Sequence, residues 1–190
     1  MSIILASGSP RRRELMEMLR VPDLKIIPAK GEETAPQGAG PGELVMALAS
    51  AKGHEVGAQC APDDVIIAAD TVVWVNGGVF GKPHSREQAF EMLSTLSGNT
   101  HEVYTGVSVM RDGREELEYE VSRVTFRELS ADEIGRYIAT GEPMDKAGAY
   151  GAQGLGALLV ERIDGDFFNV MGLPLCRLAQ MLKKQGVVIL

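Results

Sequence analysis

A carboxylate follows directly on five apolar residues: Val65, Ile66, Ile67, Ala68 and Ala69 run into Asp70 and Thr71, before Val72, Val73, Trp74 and Val75 resume the apolar pattern. Such a run reads as a buried central strand, and ligands of open α/β sheets collect at strand ends. Burying a carboxylate there is costly unless a cation, a metal or a hydrogen-bond donor compensates it. Asp70 is therefore the leading candidate for chemistry, and the plain alternative is a helix or turn cap made with Thr71. Glu33, beside Glu32 in a Pro- and Gly-rich stretch over 28–42, could add a second hard-oxygen ligand for a divalent ion. Mg²⁺ commonly takes one or two carboxylates plus phosphate oxygens and water. A solvated loop glutamate is the ordinary alternative.

Cations that suit phosphate are spread along the sequence. Ile3 to Ala6 reads as a strand, Ser7-Gly8-Ser9 as a turn, and Pro10 onward as a helix whose first turn holds Arg11, Arg12 and Arg13. Pro10 suits the first helical position and Ser9 the cap before it. Arginines at the positive end of a helix dipole cost about 0.3 to 1 kcal/mol each, a cost offset if an anion binds there. Otherwise they are a solvated basic turn facing Glu14 and Glu17. Lys52, near the edge of an apolar helical stripe over 43–59, and Lys82, in Gly81-Lys82-Pro83, would also suit a polyphosphate. Gly81-Lys82-Pro83 lacks the glycine spacing and following Ser or Thr of a P-loop. The series Gly148-Ala149-Tyr150-Gly151-Ala152-Gln153-Gly154-Leu155-Gly156 likewise fails as a dinucleotide fingerprint, because it precedes a strand. With Asp145, Lys146 and Gln153 embedded in it, this loop could wrap a base, the fixed amide reading a pyrimidine edge. An ordinary turn-rich connection is the alternative.

The elements that must position these residues alternate between strands and helices, which predicts an α/β protein. A short strand is expected over 24–27 and helices over 43–59 and 85–96. A tight turn over 76–78 precedes the second of them, and an antiparallel hairpin turns at 111–114. A further helix spans 130–141. A long loop over 142–156 leads to a strand over 158–163, a helix over 174–184 and a closing strand over 187–190. The expected fold is a mixed, mainly parallel twisted sheet flanked by helices. A length of 190 residues fits one domain, 1–190, which a cleft could divide into two lobes.

A net charge of −7 argues against a nucleic-acid or membrane-surface binder, and no apolar run is long enough to cross a bilayer. Met1-Ser2 leads straight into the first strand, so no signal peptide is expected. Cys60 and Cys176 fit reduced thiols in a cytoplasm, and His54, His84 and His101 lack the spacing of a zinc site.

Taken together, the segments resemble the Maf family of nucleoside triphosphate pyrophosphatases. The markers span nearly the whole chain: Leu5-Ala6-Ser7-Gly8-Ser9-Pro10-Arg11-Arg12, Ala69-Asp70-Thr71-Val72-Val73, Gly81-Lys82-Pro83, Tyr104-Thr105-Gly106, 141–151 and 169–175. The resemblance implies hydrolysis of a nucleoside triphosphate to the monophosphate and pyrophosphate, dependent on Mg²⁺ or Mn²⁺. It also implies a cytoplasmic, often dimeric protein of Maf/ITPase-like fold, with two lobes around a central nucleotide-binding cleft. By position, Asp70 resembles the family's proton acceptor, and Arg11, Thr71 and Gln153 match positions of substrate selection. Ser9, Arg12, Lys52 and Lys82 resemble the phosphate site, and Glu33 and Asp70 the metal site. The sequence Ala149-Tyr150-Gly151-Ala152-Gln153-Gly154 is similar to the subgroup acting on dTTP and UTP. Gly53, where alanine is usual, and Asp166-Phe167-Phe168, where a Ser-Tyr pattern is more common, depart from the family. A rival from another class is a nucleotide-binding regulator of septum formation with little turnover.

Overall fold

A computed structural model describes residues 1–31 and 34–190. Its strands form one sheet in the order β2 (Leu24–Ile26), β1 (Ile3–Leu5), β3 (Val65–Val75), β5 (Thr100–Arg111), β6 (Arg114–Phe126) and β7 (Val160–Asp164), with β4 (Gly78–Phe80) paired to β3. The helices are α1 (Pro10–Met18), α2 (Pro41–Gly57), α3 (Arg86–Leu96), α4 (Ala131–Ala139), α5 (Phe167–Met171) and α6 (Leu175–Lys184). The expected α/β class and mixed sheet are present. β1 pairs parallel to β2 and β3, whereas β3 with β4 and β6 with β7 run antiparallel. The two-residue turn Asp112-Gly113 makes β5 and β6 a hairpin. Parallel pairs at β1 and antiparallel pairs at β4 and β7 thus share one mixed sheet.

Local sequence explains most of the elements. Every residue of β3 except Thr71 and Trp74 is buried, as an uninterrupted apolar run requires. Asn76-Gly77 and Asp112-Gly113 both place two successive residues at positive φ, the conformation whose twist matches tight antiparallel hairpins. Ser85 and Ser130 accept hydrogen bonds from the backbone of Gln88 and Glu133 and so start α3 and α4.

Three expectations change. The closing strand over 187–190 is absent, because Gly186 at φ 78° ends α6 and the Val187 N–H is used on the Leu182 carbonyl. The 142–156 loop, expected to be irregular, contains the 3₁₀ turns Glu142–Asp145, Ala147–Ala149 and the start of Gly154–Leu158. Helix α5 was not expected; the Asp166 carboxylate accepts the Phe168 N–H at 2.8 Å and starts it.

The chain divides into two compact units. Unit 1 is Met1–Asp70, Thr105–Glu120 and Gly172–Leu190; unit 2 is Thr71–Tyr104 and Val121–Met171. Unit 1 has a core that includes Ile4, Ala6, Val56, Ile66 and Ala68, and that of unit 2 gathers α3, α4 and their strands around Leu93, Phe126 and Tyr150.

Candidate active site

In unit 1 the site is built on β3, α1 and α2. Asp70 is only 7% exposed, so the anticipated desolvation is real. The cation that offsets it is Lys52, whose Nζ donates to Asp70 Oδ1 at 2.5 Å with both side chains largely buried. No turn begins at Asp70, since β3 runs on through Thr71 to Val75; the turn-cap reading is set aside, and so is the expectation that Asp70 ends its strand, because Val72 to Val75 continue the same apolar run. Lys52 reaches this place because α2 lies unusually close to β5. A Cβ at Gly106 would stand 2.3 Å from the Val45 carbonyl oxygen, and Lys52 lies two helical turns beyond Val45 on the same face. At Gly53 a Cβ would meet Ser108 Oγ and Met110 Sδ at 3.0 Å, so the departure from alanine there relieves a tight contact.

Arg12 is engaged with the protein itself. Its Nε donates to the Gly172 carbonyl at 2.8 Å, and Nη1 donates to the Ala69 carbonyl at 2.7 Å and to Ser7 Oγ at 3.3 Å. It therefore fixes the backbone one residue before Asp70, a structural duty beyond the phosphate contact expected of it. Ser9 occupies the N-cap position of α1, but its side chain makes no cap hydrogen bond; its N–H instead donates to Ser7 Oγ at 3.3 Å. Ser7, buried and passed over as a site residue, is thus the organiser of this turn, and a serine set between apolar β1 and the glycine was its signal. Arg11 is half-buried, and Arg13 forms an exposed i,i+4 pair with Glu17 at 2.9 Å.

Unit 2 holds Thr71, Lys82 and Gln153. Lys82 is exposed in the turn after β4, and that turn is tied to the late loop by the Gly148 N–H donating to the Gly81 carbonyl at 3.0 Å. Gly148 has φ 69°, and a Cβ on it would lie 2.9 Å from Val73, so the close approach expected of this glycine series is present. Gln153 is half-buried at the N-cap of Gly154–Leu158. Thr71 is half-buried in β3. The His101 imidazole, beneath the loop, is 3% exposed and its Nε2 hydrogen-bonds the Tyr150 hydroxyl at 2.7 Å. Burial lowers its pKa to about 4 and raises that of Tyr150.

Among the described residues no group of three or more His, Cys, Asp or Glu forms a ready metal cage. Glu33 lies outside the described residues. A single buried hard-oxygen donor at position 70 nevertheless suits Mg²⁺ or Mn²⁺, which complete their shells with water and substrate phosphate.

The family model described as "Maf-like protein" matches residues 2–185. The chain belongs to the Maf family. Similar Maf relatives include the dTTP/UTP pyrophosphatase of Bacillus velezensis, 50% identical over 185 residues that make up 97% of each chain. That of Bacillus cytotoxicus is 48% identical over 181 residues, 95% of this chain and 94% of the relative. Among solved structures, the Staphylococcus aureus Ham1 protein aligns with 66% of this chain and 72% of its own, at 18% identity and a TM-score of 0.48. Within this Maf chain, Arg12, Lys52 and Asp70 are brought together in unit 1, and the Lys82 turn and the Gln153 loop are joined in unit 2. No helix among the described residues is long and apolar enough to cross a membrane.

Proposed function

We propose that this Maf protein hydrolyses dTTP and UTP to the nucleoside monophosphate and pyrophosphate, residues 1–190 acting as one catalytic domain. The observation that carries the reading is the buried Lys52–Asp70 pair in the middle of β3, next to the Ala69 carbonyl that Arg12 holds, in a chain half identical to proteins named for this activity. Asp70 is the proton acceptor. It takes a proton from water as the water oxygen bonds to the α-phosphorus, and the bond from that phosphorus to the bridging oxygen breaks to release pyrophosphate. Lys52 holds the Asp70 carboxylate in place, and Arg12 fixes the Ala69 carbonyl before it.

Arg11, Lys82 and the amides at the start of α1, Ser9 beside them, offer positive charge to the triphosphate. Arg12 adds to that field from its backbone-bound position. Thr71, Arg11 and Gln153 select the nucleotide, the Gln153 amide matching donor and acceptor positions on a pyrimidine. A divalent cation, Mg²⁺ or Mn²⁺, would be held by Asp70 and Glu33 and would neutralise developing phosphate charge. Free thiols at Cys60 and Cys176 suit a reducing, cytoplasmic setting. Assembly as a homodimer is checked by sedimentation velocity.

The test is ³¹P NMR of UTP or dTTP with the protein and Mg²⁺ or Mn²⁺. UMP or dTMP plus pyrophosphate is expected, and chelation with EDTA should stop the reaction. Nucleoside diphosphate plus orthophosphate would refute the reaction, and calorimetric binding without products would favour a nucleotide-binding regulator.

A further inference from the structure

The late loop contains a device that the reaction does not itself require. Glu142 follows the left-handed Gly141 that ends α4, and its carboxylate turns back into the loop. Oε1 accepts from the Tyr137 hydroxyl at 2.9 Å and from the Gly156 N–H at 3.0 Å, and Oε2 accepts from the Leu155 N–H at 3.0 Å. The Tyr137 oxygen in turn accepts from the Gly151 N–H at 3.3 Å. Backbone donors on both sides of Ala152-Gln153-Gly154 therefore end on one phenol–carboxylate pair.

The surrounding residues leave this arrangement little freedom. A Cβ on Gly156 would lie 2.2 Å from the Gly151 carbonyl oxygen, so the two limbs of the arc can approach only because position 156 is glycine. Lys146 Nζ donates to the Glu142 carbonyl and to Asp145 Oδ1, both at 2.7 Å, fixing the turn from which the carboxylate projects. Burial pushes the Glu142 carboxyl up, but the hydrogen bonds from Gly156, Leu155 and Tyr137 and the charge of Lys146 outweigh it and leave its pKa below the usual range. Just before the arc, Tyr150 is packed against Phe126 with ring centroids 4.7 Å apart. The arc thus has a rigid base and clasped ends, and half-buried Gln153 stands between them.

We propose that Tyr137 and Glu142 are positioning residues for nucleobase selection, holding the Gln153 arc at the width at which its amide meets a pyrimidine edge. The proposal rests on the reading of Gln153 given above. An amide that discriminates by hydrogen bonding must be held within about half an ångström, and loops reach that precision only when a supporting shell fixes them.

The experiment compares kcat and KM for UTP and CTP in the wild type, Tyr137→Phe, Glu142→Gln, Gln153→Ala and Tyr137→Phe/Gln153→Ala. Tyr137→Phe keeps the ring and removes the hydroxyl that joins Gly151 to Glu142. It should raise KM for UTP about tenfold, leave kcat within about twofold, and lower the UTP-to-CTP ratio of kcat/KM about tenfold. Glu142→Gln retains one acceptor oxygen and should give a smaller change in the same direction. In the Gln153→Ala background, Tyr137→Phe should alter the ratio no further. A melting temperature that falls while the ratio stays at the wild-type value in Tyr137→Phe would overturn the proposal, as would an effect that adds in full to Gln153→Ala. Should Glu142→Gln fail to fold, Tyr137→Phe decides alone. A wild type that releases no pyrophosphate defeats the proposed reaction itself. An active wild type whose ratio is unchanged by Gln153→Ala defeats only the reading of Gln153 and the clamp built on it.

Discussion

Removing the Lys52 ammonium leaves Asp70 without its cation in a place that is 7% exposed. Breaking a buried pair from one side costs about 3 kcal/mol or more, because the remaining charge is stranded. Lys52→Met should therefore lower the unfolding free energy by about 3 kcal/mol in urea, and Lys52→Met/Asp70→Asn should recover much of it; equal stability of the two would show that the pair is not what position 70 depends on. Asp70→Asn keeps shape and loses the base, so kcat for UTP should fall by about 10² to 10⁴. Pyrophosphate release at the wild-type rate would remove Asp70 from the reaction. At this scale the sequence was informative about Asp70, since a carboxylate after five apolar residues demands a partner. It could not name that partner. Lys52 lies eighteen residues away on another element, and only the approach of α2 to β5 brings the two together. Arg11, Arg12 and Arg13 look alike in the sequence for the opposite reason: only the fold shows that one finds backbone carbonyls and another finds Glu17.

Among elements, the α2–β5 contact at Gly106 is the most demanding. A methyl group there would meet the Val45 carbonyl at 2.3 Å, backbone against side chain, with no flexible atom to yield. Gly106→Ala should destabilise the protein by about 3 kcal/mol, the upper part of the range for overpacking, and should displace Lys52 from Asp70. A thermal melt within a degree of wild type would show that α2 can move aside without cost. Hairpins, capped helices and the buried β3 were readable because their signals are local: Asn76-Gly77, Asp112-Gly113, Ser85, Ser130 and an apolar run. The closing strand was misjudged because Val187, Val188 and Ile189 have strand propensity, yet Gly186 commits the Val187 N–H to the helix end. The 3₁₀ turns of the late loop were hidden for a similar reason. The start of Gly154–Leu158 is held by Glu142, which accepts the Leu155 and Gly156 N–H groups and whose destination no local pattern reveals.

For the molecule as a whole, His101 sets a pH dependence of stability. Its pKa is held at about 4 by burial against an ordinary value of 6.5, so below pH 6.5 the unfolded chain takes up a proton that the folded protein refuses. Stability should fall as pH drops from about 6.5 toward 4 and stop responding to this group below that. The slope contributed is at most about 1.4 kcal/mol per pH unit. Comparing urea denaturation at pH 6.5 and pH 5 for wild type and His101→Gln isolates the effect, since the variant should lose less stability over that interval. An identical loss in both would assign the dependence to other groups.

The division of the chain at the Asp70–Thr71 peptide bond has a consequence for exchange of segments between relatives. Three of the four junctions between the units, after residues 70, 104 and 120, fall inside the extended strands β3, β5 and β6. Joining a relative's chain at the same strand positions keeps strand length and register, so each side chain stays on its own face of the sheet. A chimaera that takes 71–104 and 121–171 from a relative would import Thr71, Lys82, Gln153 and the clasp of Tyr137 and Glu142 together. It would leave Arg12, Lys52 and Asp70 in their native setting. Arg11 would stay behind with them, so a chimaera whose UTP-to-CTP ratio follows the donor would assign the choice of nucleotide to the imported blocks, and one whose ratio follows this chain would assign it to Arg11.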